Sequence, residues 1–596
     1  MKRTRKIIIT CLTLILLVFN AYGSVNAMSY TYDFWKNIIP STEGLAYRET
    51  YYSNTILDEF GGKTNLVLDT LTDFSVYEGN IYLLDSRKTH NKQMSFADLA
   101  PGTTTAVASV SSLIILNQNF QFVKELDEFE MTDAVKEKLE KYYGFTTPLN
   151  EITSAQYTAQ EVPNKAPYSV SSTDPNKAVL RLDEAQGVEV TSEGIFIADT
   201  ENSRILKLNS EYVCVDVYLT PADSAFTQYN KEGIEFEEDE TAIPFKPLKV
   251  TSVSDGSIYC ISRDIYEGII EFNLDTEFNR FLGTNTVVAN PLKKFWAKLF
   301  SEAQLSTMEL DLPPMFTNIC ADEKGFIYAT SKPDADDTAA SKVVKAINKS
   351  GKDVMRRNGY VLPDGDVVYL STSNVKGAVV GASSIIDVAI SSTGNFTIVD
   401  ANRGRIFTYD IEGNLLYIAG EQPGGQGNSG SGGLSNSILN PSAINYLYRT
   451  NEDGSSEELL LVLDQKSSSI IVYETTEFGE TVNTATYLYQ NGMIEEAEQY
   501  WRKAEKMNTN YELAYLGIGK SLLRQGRYEE AMEYFKKAHN GIYYSKAFSN
   551  YRDNVLKENF SWIMTVAIIG VVGIFVYKYV KHVNKKRNSV PQGGDE

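Results

Sequence analysis

Residues 187–209 constrain this chain more than any other stretch. Val188 and Val190 alternate with polar neighbours, as a strand with one buried face requires, and Ser192, Glu193 and Gly194 form a tight turn. Ile195 to Ala198 is a short, wholly apolar strand, the run from Asp199 to Asn202 is a polar turn, and Ile205, Leu206 and Leu208 open a third strand. Three strands in 23 residues make most of one antiparallel sheet. A single sheet of that size has no way to bury both of its faces, so it needs copies of itself.

The copies are present. Residues 76–87 form an earlier one, followed after 187–209 by 250–262 with 269–274, 318–330 with 343–348, 388–410, and 459–464 with 470–473. The aligned positions Asp85, Asp199, Ser262, Ser331, Asp400 and Asp464 lie 114, 63, 69, 69 and 64 residues apart. Six sheets at that spacing predict a mainly β chain built on a six-bladed β-propeller, in which each blade packs on its neighbours. The 114-residue interval has room for a degenerate blade, which makes seven blades the alternative.

Two copies resemble NHL repeats, through Gly194, Ile195, Asp199, Asn202, Arg204 and Ile205 in one and Gly394, Asp400, Asn402, Arg405 and Ile406 in the other. The glycines at 424, 425, 427, 430, 432 and 433, ahead of Asn440 and Pro441, are similar to the loop that joins NHL blades. The resemblance implies a propeller over residues 61–478. Propellers of similar shape include calcium-dependent gluconolactonase-like hydrolases, whose channel carboxylates and an Asn hold the metal. That resemblance implies calcium and a hydrolase as the alternative to a binding protein.

Beyond the propeller the period changes. Residues 491–504 and 525–538 align with a shift of 34: Gly492 with Gly526, Ala497 with Ala531, Tyr500 with Tyr534 and Ala504 with Ala538. Small residues let helices approach closely, and the aromatic side chains are expected to fill the gaps. With a helix at 514–522 between them and another at 543–556, the region 482–558 resembles tetratricopeptide repeats, which implies a small solenoid that binds a protein surface or acts as a spacer.

The two ends carry targeting signals. Lys2, Arg3, Arg5 and Lys6 precede an apolar run from Ile7 to Phe19 and small residues at Val25, Asn26 and Ala27, which reads as a signal peptide over 1–27. Residues 560–577 are uncharged and continuous, and Lys578, Lys581, Lys585, Lys586 and Arg587 follow. A membrane helix over 560–579 with a basic cytoplasmic tail over 580–596 is the expected topology, with the rest of the chain outside. Without the four basic residues of the leader, and the five basic and two acidic residues from Lys578 onward, 47 basic and 75 acidic groups remain, a net charge of −28. Such a surface disfavours nucleic acid and anionic lipid headgroups as partners.

Between these parts lie an aromatic N-terminal segment over 28–60, expected to pack on the ring, and two helical insertions, near 132–143 and 290–308. The order of parts resembles a group of Gram-positive (Firmicute) surface proteins, which implies a single-pass membrane protein whose propeller meets a protein or glycan partner near carbohydrate handling.

Little in the sequence carries covalent chemistry. Histidine occurs at 90, 539 and 582, so a His-ligated metal or a serine triad has a single histidine, His90, to draw on inside the propeller and is nearly excluded. The recurring Asp85, Asp199, Asp400 and Asp464 read as turn-fixing hydrogen-bond acceptors rather than a carboxylate cluster. The acidic runs 334–337 and 235–240 lack the spacing of a calcium loop and read as solvated loops. Cys214, Cys260 and Cys320 read as buried thiols. No carboxylate stands out as breaking the repeat pattern, so no catalytic, cofactor-binding or metal-binding residue is assigned.

Overall fold

A computed structural model describes residues 29–86, 111–143, 169–171, 177–222, 245–284, 314–331, 342–367, 381–420, 437–451 and 454–587. The expected signal peptide, the insertion near 290–308, the acidic runs at 235–240 and 334–337, His90 and the glycines of 424–433 lie outside the described residues. The chain divides into two compact units, residues 1–483 and 484–596.

The first unit is a six-bladed β-propeller. Blade one is Leu71–Tyr77, Asn80–Asp85, Ser112–Leu116 and Phe122–Leu126, and blade two is Gly187–Thr191, Gly194–Asp199, Arg204–Leu208 and Cys214–Tyr218. Blade three is Pro247–Ser252, Ile258–Ser262, Ile269–Phe272 and Phe278–Leu282, and blade five is Ile385–Ile390, Phe396–Asp400, Arg405–Tyr409 and Leu415–Ala419. Each of these four blades is an antiparallel sheet with its strands in sequence order. The first strand of each blade packs against the first strands of both neighbours, and that of blade six packs on that of blade one. The ring therefore closes at six. The long interval between Asp85 and Asp199 holds helix α1 (Asp133–Tyr143) and a short hairpin, 169–170 with 178–179, where the sequence left room for a seventh blade.

Blade six consists of Pro441–Thr450, Ser456–Asp464 and Ser469–Thr475, and its outermost strand is Leu45–Tyr52 from the N-terminal end of the chain. The sequence reading sets 28–60 apart from the propeller. Its strand is in fact the closure of the ring, because Ser469–Thr475 would otherwise leave an unpaired edge. Ahead of it, Ser29–Tyr32 and Ile38–Ser41 form a hairpin, and Tyr32 is buried in the core of blades four and five.

Among the described residues blade four has three strands, Phe316–Ala321, Ile327–Ser331 and Val344–Ile347. The edge of the third is satisfied by the segment that follows: Val354 N donates to Ala346 O at 2.7 Å, Ala346 N donates to the Asp353 carboxylate at 3.3 Å, and Arg357 Nη2 donates to Val344 O at 2.7 Å.

The turns sort by face. Connections between the first and second and between the third and fourth strands are short and lie on one face. Asn117, Asn209, Asn273 and Asp410 each begin a third-to-fourth turn, Asn348 begins the matching turn after the third strand of blade four, and all five accept N–H bonds from the residues two and four positions later. The residue three positions on is left-handed in each, with φ of 59° at Phe120, 65° at Tyr212 and 62° at Thr276. The opposite face carries the second-to-third connections and the links between blades.

The second unit is helical. Helix α2 (Glu477–Gln490) follows blade six directly and runs across the boundary between the units. It is followed by α3 (Ile494–Met507), α4 (Glu512–Arg524), α5 (Tyr528–Lys537) and α6 (Gly541–Arg587). Ala497, Ala504, Ala531 and Ala538 are buried, as their repeat positions require. The gaps are filled by Trp501 and Phe535, while Tyr500 turns toward solvent. A Cβ on Gly517 would lie 2.4 Å from the Trp501 ring, so only glycine lets α4 approach so closely. Helix α6 is unbroken over 47 residues, or about 70 Å, and contains an 18-residue stretch apolar enough to cross a membrane, none of it buried. The helix expected at 543–556 and the expected span at 560–579 are one element.

Candidate functional site

The six aligned residues occupy the last position of each second strand, on the face of the interblade links, and five of them accept N–H bonds there, whereas the Ser331 hydroxyl donates to Val343 O at 3.3 Å. Asp199 accepts from Asp183 N at 2.8 Å, from Asn202 Nδ2 at 2.8 Å and from Arg204 Nε at 2.8 Å. Asp85 accepts from Asp69 N and Thr70 N, and Asp400 from Ser384 N and Asn402 N. Asp464 accepts from Leu439 N, Asn440 N, Lys466 N and Ser467 N. In blade three the Ser262 hydroxyl oxygen takes the same role, accepting from Lys246 N at 2.9 Å. These groups pin the arriving link to the blade it enters and do not converge on one point. Among the arginines of the repeat, Arg204 braces Asp199, whereas Arg405 pairs with Asp366. Asp366 also accepts from the Tyr32 hydroxyl, so the N-terminal hairpin is latched to the base of blade five.

The residues that do converge lie on the six inner strands. Asp73, Gly187, Lys249, Asn318, Asp387 and Ala443 hold the same register position, each paired with the residue just before the aligned acceptor. The four polar ones are between 3 and 8 % exposed. Lys249 Nζ lies 2.9 Å from Asp73 Oδ1 and donates to Thr72 O at 3.2 Å. Asp73 Oδ2 accepts from Val188 N of blade two at 3.0 Å. Asp387 accepts from the Asn318 amide of blade four, and from Val388 N and Ile444 N, each at 2.6 Å, the latter on blade six. Two aspartates thus tie together all six blades.

One layer deeper, Glu189 is half-buried and accepts from the Ser75 hydroxyl at 3.4 Å. Burial, reinforced by the carboxylate of Asp73, pushes its carboxyl up to about 8. Asp387 is pushed up to about 7 by burial, against the pull of Lys249. Burial also raises Asp73 and the Cys320 thiol beside this cluster. Cys214 and Cys260 are buried free thiols in the blades, and Cys320 is a free, half-buried one at the channel. Of the histidines, His539 pairs with Glu512 at 3.2 Å in the helical unit.

Asp73, Glu189 and Asp387 break the repeat pattern, contrary to the sequence reading. The signal was there in the first strands, which stand twelve or thirteen residues before the aligned acceptor in five blades. The set does not suit calcium. An ammonium already bonds to Asp73, and both oxygens of Asp387 accept N–H groups. Among the described residues no group of three or more His, Cys, Asp or Glu side chains is disposed to hold a metal.

Neither protein-family models nor curated proteins match the chain. Among solved structures it is similar to virginiamycin B lyase from Staphylococcus aureus, at 8 % identity and a TM-score of 0.31 over 72 % of this chain and 99 % of that one. It is also similar to a protein of unknown function from Bacteroides thetaiotaomicron, at 10 % identity and a TM-score of 0.32 over 74 % of this chain and 80 % of that one. A third, of unknown function from Bacteroides caccae, has 9 % identity and a TM-score of 0.27 over 64 % of this chain and 86 % of that one. Likeness at this level says nothing about activity.

Proposed function

We propose that this protein is an exported, membrane-tethered binding scaffold, with the propeller outside the cell and a protein or glycan as its partner. The observation that carries the reading is the unbroken helix α6. Its first turns pack on α5, with Ala547 buried, and the same helix continues into the apolar stretch without a linker. A soluble helical repeat has no use for an unburied apolar extension of that length, whereas a tether does. The basic residues from Lys578 to Arg587 support a cytoplasmic tail by the positive-inside rule, and in this reading α3 to α5 serve as a tetratricopeptide-type spacer or partner surface. The chain leaves blade six at Thr475, on the face of tight turns.

The inner ring favours a scaffold over a hydrolase, because its carboxylates are bonded to Lys249 and to backbone of neighbouring blades and are already engaged by the fold. The test is protease treatment of intact cells carrying an epitope after residue 587. Digestion of the propeller with survival of the epitope is the expected result. A propeller that resists digestion on intact cells, yet is cleaved after lysis, overturns the proposal.

A further inference from the structure

Helix α6 follows α5 as α4 follows α3, and its first turns match α4 at a shift of 33: Tyr511 and Ala514 correspond to Tyr544 and Ala547, and both alanines are buried. On α4, the face carrying Tyr515, Ile518, Gly519 and Leu522 is covered by the next helix. Leu522 is 0 % exposed, and a Cβ on Gly519 would lie 2.6 Å from the Phe535 ring of α5. The matching residues on α6 are Phe548, Tyr551, Arg552 and Val555. Among the described residues no helix turns back over them, because α6 itself runs on unbroken from Val555 to Arg587, 32 residues or about 48 Å. Phe548 is 48 % exposed and Val555 37 %. Arginine in the place of Gly519 shuts out a helix packed as α5 packs on α4, so the cover of this face is not a further repeat.

The face also continues along the helix. Phe548, Val555, Trp562, Ile569 and Val576 recur every seven residues, and all five are exposed. Seven residues is the interval at which two parallel helices stay in contact along their length. Lipid does not account for the first two, which precede the uncharged run and are separated from it by Lys557 and Glu558.

We propose that this face joins two copies of the chain, whose α6 helices lie parallel and meet along Phe548, Val555, Trp562, Ile569 and Val576. The inference rests on the membrane tether, since two chains anchored in one membrane present their helices with like ends together and the two lines at matching heights. The 28 residues from Phe548 to Val576 give a seam of about 42 Å. Arg552 and Asp553, 2.9 Å apart, balance each other's charge beside it.

The test uses the full-length protein. Membranes from cells that carry Phe548→Cys, Val555→Cys or Asp553→Cys are oxidised with copper phenanthroline, next to the unsubstituted chain. A disulfide needs Cα atoms within about 7 Å, and residue 553 lies about 200° around the helix from 555. Linked dimers are expected for the variants at 548 and 555, and none for the variant at 553 or the unsubstituted chain. In mild detergent, light scattering is expected to give a dimer for the wild type and a monomer for Phe548→Glu with Val555→Glu, with the same circular dichroism, because both side chains are exposed. The single cysteine variants decide the matter even if the glutamate variant misfolds. A chain absent from the membrane fraction overturns the tether and this inference with it. A membrane-bound chain that fails to link at 548 and 555, links equally at 553, or stays dimeric with both glutamates overturns this inference alone.

Discussion

The ammonium of Lys249, on blade three, lies 2.9 Å from the carboxylate of Asp73, on blade one, so a buried ion pair spans the blade between them. Blade two contributes Gly187 at the matching position and gives its Val188 N–H to the same carboxylate. A charge pair at this depth contributes little beyond what an apolar pair would, but breaking it is costly because the survivor stays buried. Lys249→Met is therefore expected to destabilise the propeller by about 3–5 kcal/mol. Lys249→Met combined with Asp73→Leu is expected to cost clearly less than the sum of the two single changes. Urea denaturation of the four proteins measures the coupling, and additive losses would mean that the pair is not a unit.

The same cluster sets a pH dependence. Glu189 titrates near 8 and Asp387 near 7 in the folded chain, both raised by burial above the 4.5 and 3.8 of free side chains. A carboxyl raised by folding makes the native state bind more protons than the unfolded state, so its stability is complete below the unfolded value and is lost as pH rises through the folded one. Glu189 sits among Asp73, Asp387, Cys320 and the hydroxyl of Ser75, and Lys249 pairs with Asp73. The denaturation midpoint is expected to fall steadily between pH 5 and 9. Glu189→Gln, which cannot ionise, is expected to flatten that fall and to be the more stable protein at pH 9. Parallel pH profiles for the two proteins would remove Glu189 as a cause.

Much of this fold is legible in the sequence, and the illegible parts have physical reasons. The second strands, such as Ile195 to Asp199 and Phe396 to Asp400, are buried on both sides and end on an acceptor, so they announce themselves by composition and spacing. Closure by Leu45–Tyr52 gives no such signal, because a lone strand more than 400 residues from its partner Ser469–Thr475 has no periodic neighbour. The inner ring was hidden for a related reason. A first strand shows its polar residue only once all six are laid in register, and Asp73, Lys249 and Asp387 differ in charge. In the helical unit the repeat placed the small residues correctly but assigned the gap-filling to Tyr500 rather than Trp501, since a one-residue step turns a helical side chain by about 100°.

The aligned acceptors are expected to rank by what each holds. Asp199→Ala removes the acceptor for Asp183 N, Asn202 and Arg204, and leaves the guanidinium of Arg204, 4 % exposed, without the carboxylate that balances its charge. A loss of about 3–5 kcal/mol follows. Ser262→Ala removes one neutral acceptor, that for Lys246 N, for a loss of about 1 kcal/mol. Thermal melts of the two variants under one condition decide it, and equal losses would show that the position acts through packing alone.

The N-terminal end offers a way to separate closure from latching. The hairpin over Ser29–Tyr32 and Ile38–Ser41 is held to the ring by side chains: Tyr32 bonds to Asp366, Tyr360 donates to Tyr32 O at 2.8 Å, and Ser29 donates to Ile418 O at 2.8 Å. The strand Leu45–Tyr52 is held by a backbone ladder along the full length of Ser469–Thr475, and Thr476 N adds a bond to Gly44 O at 3.1 Å. Removing residues 1–41 takes away a few contacts and exposes Tyr32's pocket, so a folded protein with the oligomeric state of the full chain and a lower melting midpoint is expected. Removing residues 1–52 exposes a whole strand edge rich in Ile470, Ile471 and Val472, the kind of surface that pairs with another chain. That protein is expected to aggregate or to exchange strands between copies. Size-exclusion chromatography with light scattering distinguishes the two, and a cooperatively melting 53–596 protein of that same state would show that the ring does not depend on its N-terminal strand.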